Sequence, residues 1–257
     1  MPVGGEPSSQ GHGRKRVAQV LDERGDYRVA IGSERLIPQL ERVDPAARLA
    51  EAVEILRRLL DGQEVTFGGE HYRLERARTL RARQERVPIL VAVNGRQALA
   101  HAARHADIIG LAMLGRTLED GQRHEVRWQP ERLDRTVAFI REQAAGRATD
   151  LELNALVQRV VVTSDRHGAA EELSRQVTGL TVEDALRTPF LALGTHDQIA
   201  EHLLACRQRW GISYYSVREL EAFAPVIERL RQADAVTGLS HAGGQAAQSG
   251  ASRTARP

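Results

Sequence analysis

The chain has 257 residues, 42% hydrophobic and 27% charged, so it can bury a sizeable core in one large α/β domain or two small ones. Its 36 basic and 34 acidic residues leave a formal charge of +2, which gives no electrostatic footprint for nucleic acid. No run reaches the ~18 apolar residues of a membrane span, the polar start lacks the apolar centre of a signal peptide, and the single cysteine, Cys206, excludes an intrachain disulfide, so the expected compartment is the reducing cytoplasm.

Residues 1–24 are rich in Gly, Ser and Arg without an apolar period and read as a flexible arm. Tyr27 to Gly32 reads as a short strand. Asp44-Pro45 then opens a helix, Asp as N-cap and Pro at the first helical position. Its residues Leu49, Ala52, Val53, Leu56, Leu59 and Leu60 recur at helical spacing, and Asp61-Gly62 stops it. Val65 to Leu74 predicts a hairpin turning at Gly68-Gly69. Val87 to Met113 reads as a βαβ unit: a buried strand, a turn at Asn94-Gly95, an Ala-rich helix and a second buried strand.

Thr117 to Pro130 is expected to be a polar loop, Glu131 to Ala145 a helix, and Leu151 to Thr163 to contain a long buried strand, most clearly Val157 to Val162. Short helices follow at Gly168 to Val177 and Val182 to Leu186, with Pro189 to Leu193 extended. Thr195 and Gln198 form a capping box before the helix that ends at Trp210. Ser213 to Val217 is a strand and Phe223 to Ala233 a helix. The folded part spans 25–235, and 236–257 reads as a disordered tail. Continuous apolar strands alternating with helices predict a parallel sheet covered by helices, in a (β/α) barrel or an open doubly wound sheet.

An ordered set of motifs bears on that choice. Arg48-x-x-Glu51-x-x-x-Ile55-Leu56-Arg57-x-Leu59-Leu60-x-Gly62 is followed by Val65-Thr66-Phe67-x-Gly69-Glu70-His71-Tyr72 and by Pro88-Ile-Leu-Val to Asp107-Ile108. Pro189-Phe-x-x-x-Gly194-Thr195-x-x-x-Ile199-Ala-Glu-x-Leu203, Gly211-Ile212-Ser-Tyr214 and Phe223-Ala-Pro-Val-Ile come after. From about Asp44 to Leu230 the chain resembles the luciferase-like monooxygenase superfamily, in its branch of coenzyme F420-dependent oxidoreductases. The resemblance implies a (β/α)8 TIM-type barrel that binds F420, or alternatively FMN, at its C-terminal mouth. Such an enzyme moves a hydride between the cofactor and a small organic substrate. Residues 1–44 are too few and too polar for the family's opening strands, so the expected fold is incomplete, the C-terminal half to two-thirds of a barrel, N-terminally truncated.

The resemblance also implies a cofactor site. The turn Ala92-Val93-Asn94-Gly95-Arg96-Gln97 runs along the ring in that family, its backbone amides contacting ring and phosphate regions. Small residues and a helix N-terminus suit that task. The family usually has two glycines where this chain has Ala92-Val93, and Val93 is expected to crowd the backbone's approach. Without the resemblance the same turn is an ordinary strand-to-helix junction with Asn94 as N-cap.

Other candidates read as structural. His101 and His105 stand at i, i+4 without a third ligand, so no metal site is expected. His71 and Tyr72 read as packing for the hairpin, and Asp107 as a solvated or capping carboxylate rather than a general base. Cys206 reads as a small core residue. No proton donor can be named. The expected partner is a small-molecule substrate, with neither nucleic acid nor membrane, and exposed sheet edges offer a route to association. The competing reading is a non-catalytic half-barrel or small-molecule-binding remnant.

Overall fold

The computed structural model describes residues 18–21, 27–32, 45–79, 84–119 and 124–237. Of the expected arm this includes only 18–21, and of the expected tail only Val236 and Thr237. The rest of both stretches, and Asp44, lie outside the described residues.

Strand β1 (Ala18–Leu21), inside the stretch expected to be an arm, pairs antiparallel with β2 (Tyr27–Gly32). Helix α1 (Pro45–Leu60) and the hairpin β3 (Val65–Gly68) and β4 (Arg73–Ala77) follow where the pattern predicts them. The βαβ unit is β5 (Ile89–Ala92), α2 (Arg96–His105) and β6 (Ile108–Leu111). The expected loop 117–130 instead carries part of a second hairpin, β7 (Leu114–Thr117) and β8 (His124–Val126). Its ends are fixed from outside: Arg127 N–H donates to the Met113 carbonyl (2.9 Å), and Val126 N–H to Thr178 (3.1 Å).

Helix α3 (Pro130–Ala144) begins with Pro130 in its first turn. The long strand expected within 151–163 is two strands, β9 (Glu152–Leu156) and β10 (Arg159–Val162). At the break the chain changes partners: Val157 N–H bonds Ser216 and the next amide, Gln158, bonds Phe190, both at 2.8 Å. Then come α4 (Arg166–Gln176), α5 (Val182–Arg187), β11 (Leu191–Gly194), α6 (His196–Trp210), β12 (Ile212–Ser216) and α7 (Leu220–Thr237).

The main sheet has the order β1-β2-β5-β6-β9-β12, parallel except for β1, while β10 and β11 pair parallel apart from it. Its parallel strands succeed one another in chain order, without the reversal that marks a doubly wound sheet. The winding is that of a (β/α) barrel, and it is incomplete, since β1 and β12 remain as edges among the described residues.

The central strands are buried on both faces. Ile89, Val91 and Val93, with Ile109, Leu111, Leu153, Ala155 and Ile212, share one buried cluster with Leu49 and Val53 of α1, Ala102 and Ala103 of α2, and Leu133, Val137 and Ile140 of α3. Each large apolar side chain removed from water there contributes about 1.5–3 kcal/mol. The intervening residues Leu90, Ala92, Gly110 and Asn154 belong to the opposite face.

Candidate functional site

In a parallel sheet wound with crossover helices, the loops leaving the C-terminal strand ends gather on one rim, where ligands bind. Strand register places a row of residues beneath that rim: Gly32 on β2, Ala92 on β5, Gly110 on β6, Asn154 on β9 and Tyr214 on β12. Gly110 has no room for a side chain, because an added Cβ would come within 2.9 Å of the Ala92 Cβ. Ala92 and Gly110 therefore keep this stretch low, and a bulge on β12 gives the row its far end. Two residues of β12 there oppose one of β9, between Ile212 and Tyr214, and the extra residue returns Tyr214 to the face of Asn154.

Asn154 is 4% exposed. A buried amide needs partners, and its Nδ2 donates to the Tyr214 carbonyl (3.2 Å) and to Ser216 Oγ (3.1 Å). Its Oδ1 has no hydrogen bond among the described residues and is the acceptor this row offers. Sequence reading missed Asn154 and Gly110. Their signals were a polar residue inside Leu-Asn-Ala-Leu and a glycine inside Ile-Ile-Gly-Leu, and only register shows that they are neighbours.

Above the row lies the predicted turn. Val93 is 4% exposed and its side chain joins the helix-facing core, so it does not stand in the way of the rim as the sequence suggested. Asn94, Gly95, Arg96 and Gln97 are exposed. The N-cap of α2 is Gly95 rather than the expected Asn94, and no side chain caps the helix. Gly95 adopts φ +93° and ψ 145°, with nothing within 4 Å of where a Cβ would be. The first amides of α2 thus lack a side-chain cap at a positive helix end. Arg96 stacks its guanidinium 4.0 Å over the Phe139 ring, which fixes the outer side of the turn against α3.

The remaining candidates are structural. Asp107 accepts from Ile89 N–H (2.8 Å), from Arg86 (2.9 Å) and from Arg57. Burial alone would raise its carboxyl, but the Ile89 amide and the two guanidiniums hold it below the usual carboxylate range. It is an ionised clamp between α1 and the sheet. Glu51 accepts the amides of Glu70, His71 and Tyr72 at 2.8–3.0 Å, while Arg48 donates to Tyr72 Oη (3.2 Å), pinning the hairpin turn to α1.

The His101 and His105 rings stack at 4.4 Å, and burial, with neighbouring cations, lowers both. Among the described residues no three His, Cys, Asp or Glu side chains gather as a metal site. Burial pushes the Cys206 thiol up to about 12, which removes it as a nucleophile. No helix among the described residues is long and apolar enough to cross a membrane.

Comparison with known proteins agrees with this fold. The sequence profile described as luciferase-like monooxygenase matches residues 24–214. An F420-dependent glucose-6-phosphate dehydrogenase from Nakamurella multipartita is 37% identical over 67 residues, which are 26% of this chain and 20% of that protein. The monooxygenase RslO1 from Streptomyces bottropensis superposes with a TM-score of 0.54 at 19% identity, over 83% of this chain and 69% of the other. A coenzyme F420-dependent tetrahydromethanopterin reductase from Methanopyrus kandleri gives 0.53 at 15% identity, over 74% and 64%. The match thus spans about a fifth of the curated relative and about two-thirds of these two solved chains.

Proposed function

The chain belongs to the luciferase-like monooxygenase family, and we propose that it binds F420, or FMN as the nearest alternative, along the rim at Ala92–Gln97 and serves hydride transfer to or from a small organic substrate. The observation that carries the reading is the open turn at Gly95 above the low row Ala92–Gly110–Asn154. A flat ring needs close backbone approach and a shallow floor, and both are supplied by residues too small to obstruct it. When bound, such a ring supplies the two-electron chemistry, accepting a hydride from the substrate or donating one to it.

The chain's own residues then have three tasks. The uncapped amides at the start of α2 receive an anionic portion of the cofactor. Ala92 and Gly110 set the depth at which the ring lies. Asn154, held by Tyr214 and Ser216, offers Oδ1 as a fixed acceptor beside it. Fluorescence titration of F420 and of FMN with the full chain tests the reading. Saturable micromolar quenching is expected for one of them. A folded chain that quenches neither refutes it.

One observation favours a second reading, a binding module without turnover. The described strands end at two edges, β1 and β12, so substrate lies on a floor walled on fewer sides than in a closed barrel. Cofactor binding with no turnover of any reductant or oxidant would favour that reading, with a second chain at an edge as the route to closure.

A further inference from the structure

The chain has two asparagines, Asn94 and Asn154, and only Asn94 is followed by glycine. We propose that Asn94-Gly95 is a site of spontaneous covalent modification, at which Asn94 deamidates through a cyclic imide to aspartate and isoaspartate, and that the new carboxylate closes the neighbouring helix end to other anions. The chemical step needs only this chain and water. Its effect on a cofactor rests on the reading of the rim given above.

Four features of the turn favour the reaction. The Asn94 carboxamide is exposed and makes no hydrogen bond among the described residues, since no side chain caps α2. The Gly95 N–H likewise has no acceptor among them, and the helix begins with Leu99 N–H donating to the Gly95 carbonyl at 3.0 Å. Glycine carries no Cβ to crowd the approach to its nitrogen, and open space surrounds the point where one would stand. Last, this nitrogen belongs to the N-cap of α2, where the helix dipole favours the negative charge that develops as its proton leaves. Asn154 lacks every one of these features. It is 4% exposed within β9, precedes Ala155, and donates its Nδ2 to the Tyr214 carbonyl and Ser216 Oγ.

The Gly95 nitrogen gives its proton to hydroxide and attacks Asn94 Cγ within the same chain, so no encounter is needed. The Cγ–Nδ2 bond breaks and Nδ2 leaves as ammonia, closing the imide. Water then opens the ring. Attack at Cγ breaks its new bond to nitrogen and gives aspartate. Attack at the main-chain carbonyl carbon breaks the original peptide bond and carries the chain through Cγ as isoaspartate. One water is consumed, one ammonia is released, and nothing is oxidised or reduced. Either product sets a carboxylate beside the uncapped amides of α2, in the place an anionic portion of a ligand would take. Isoaspartate also adds one carbon to the main chain between β5 and α2.

Incubation of the full chain at neutral pH in heavy-oxygen water, followed by trypsin in ordinary water, tests the reaction. The peptide 87–96 is expected to take up one labelled oxygen and to separate into aspartate and isoaspartate forms. Its rate should rise in proportion to hydroxide and stay within about tenfold of that in the urea-unfolded chain. The peptide 148–159, which carries Asn154, should stay unlabelled, and Gly95→Ala should slow conversion of Asn94. Asn94 left intact in folded chain while unfolded chain converts overturns the site. Aspartate without isoaspartate, or conversion at the parent rate in Gly95→Ala, overturns the imide route. Quenching of F420 or FMN is expected to weaken in step with conversion as the chain ages, and about tenfold or more in Asn94→Asp. Undiminished quenching in Asn94→Asp overturns the closure. Fresh chain that quenches neither cofactor refutes the reading of the rim and the closure with it, while the labelled peptide alone decides the modification.

Discussion

Gly95 occupies a backbone region, φ +93° with ψ 145°, that side-chain-bearing residues reach only with strain. Gly95→Ala is expected to cost about 1–3 kcal/mol in urea unfolding, from backbone strain alone, because the added methyl meets open space. A loss near zero would mean the turn relaxes into another conformation. Asp107 makes a pH-dependent contribution. Its folded-state carboxyl titrates below the unfolded one, so its stabilisation is present above the unfolded value near 3.9 and is lost as pH falls through the folded value. Asp107→Asn should cost about 1–3 kcal/mol at neutral pH, since Arg57, Arg86 and the Ile89 amide lose a charged acceptor. Its stability should also fall less steeply than the parent's below about pH 4. Parallel acid profiles for the two chains would refute the clamp.

Helix α6 shows what local sequence encodes. Thr195 Oγ1 accepts Gln198 N–H (3.3 Å), Gln198 Oε1 accepts Thr195 N–H (2.9 Å), and Gly211 closes the other end at φ +76°. All of these partners lie within a few residues, so spacing alone predicted the cap. Thr195→Ala should cost about 1 kcal/mol, read from the midpoint of chemical denaturation; no change would mean the Gln198 side chain caps unaided. The break between β9 and β10 was illegible for the converse reason. An apolar run such as Leu156-Val-Gln-Arg-Val carries no mark of its amides turning from Ser216 to Phe190. The β7–β8 hairpin was equally hidden, because Thr178, remote in sequence, anchors its second strand. At the candidate site, the turn was readable from Asn-Gly between a strand and a helix. The shift of the cap to Gly95 and the direction of Val93 depended on which face the helices cover.

Across the molecule, one face of the sheet is sealed by α1, α2 and α3, and the other carries the low row that ends at Asn154 and Tyr214. Continuous apolar strands alternating with helices predicted a sheet covered by helices. The strand order, with edges at β1 and β12, required the pairing itself. The resemblance implied a cofactor-binding turn over six residues, and four of them, Asn94 to Gln97, are exposed. The decisive measurement is F420 and FMN titration of the parent chain beside Asn94→Trp, a substitution at an exposed position that fills the approach to Gly95 without entering the core. Micromolar quenching by the parent, lost in an Asn94→Trp chain of unchanged circular dichroism, is the expected result. Equal affinity in the two chains would place the ring elsewhere and contradict the assignment of this rim.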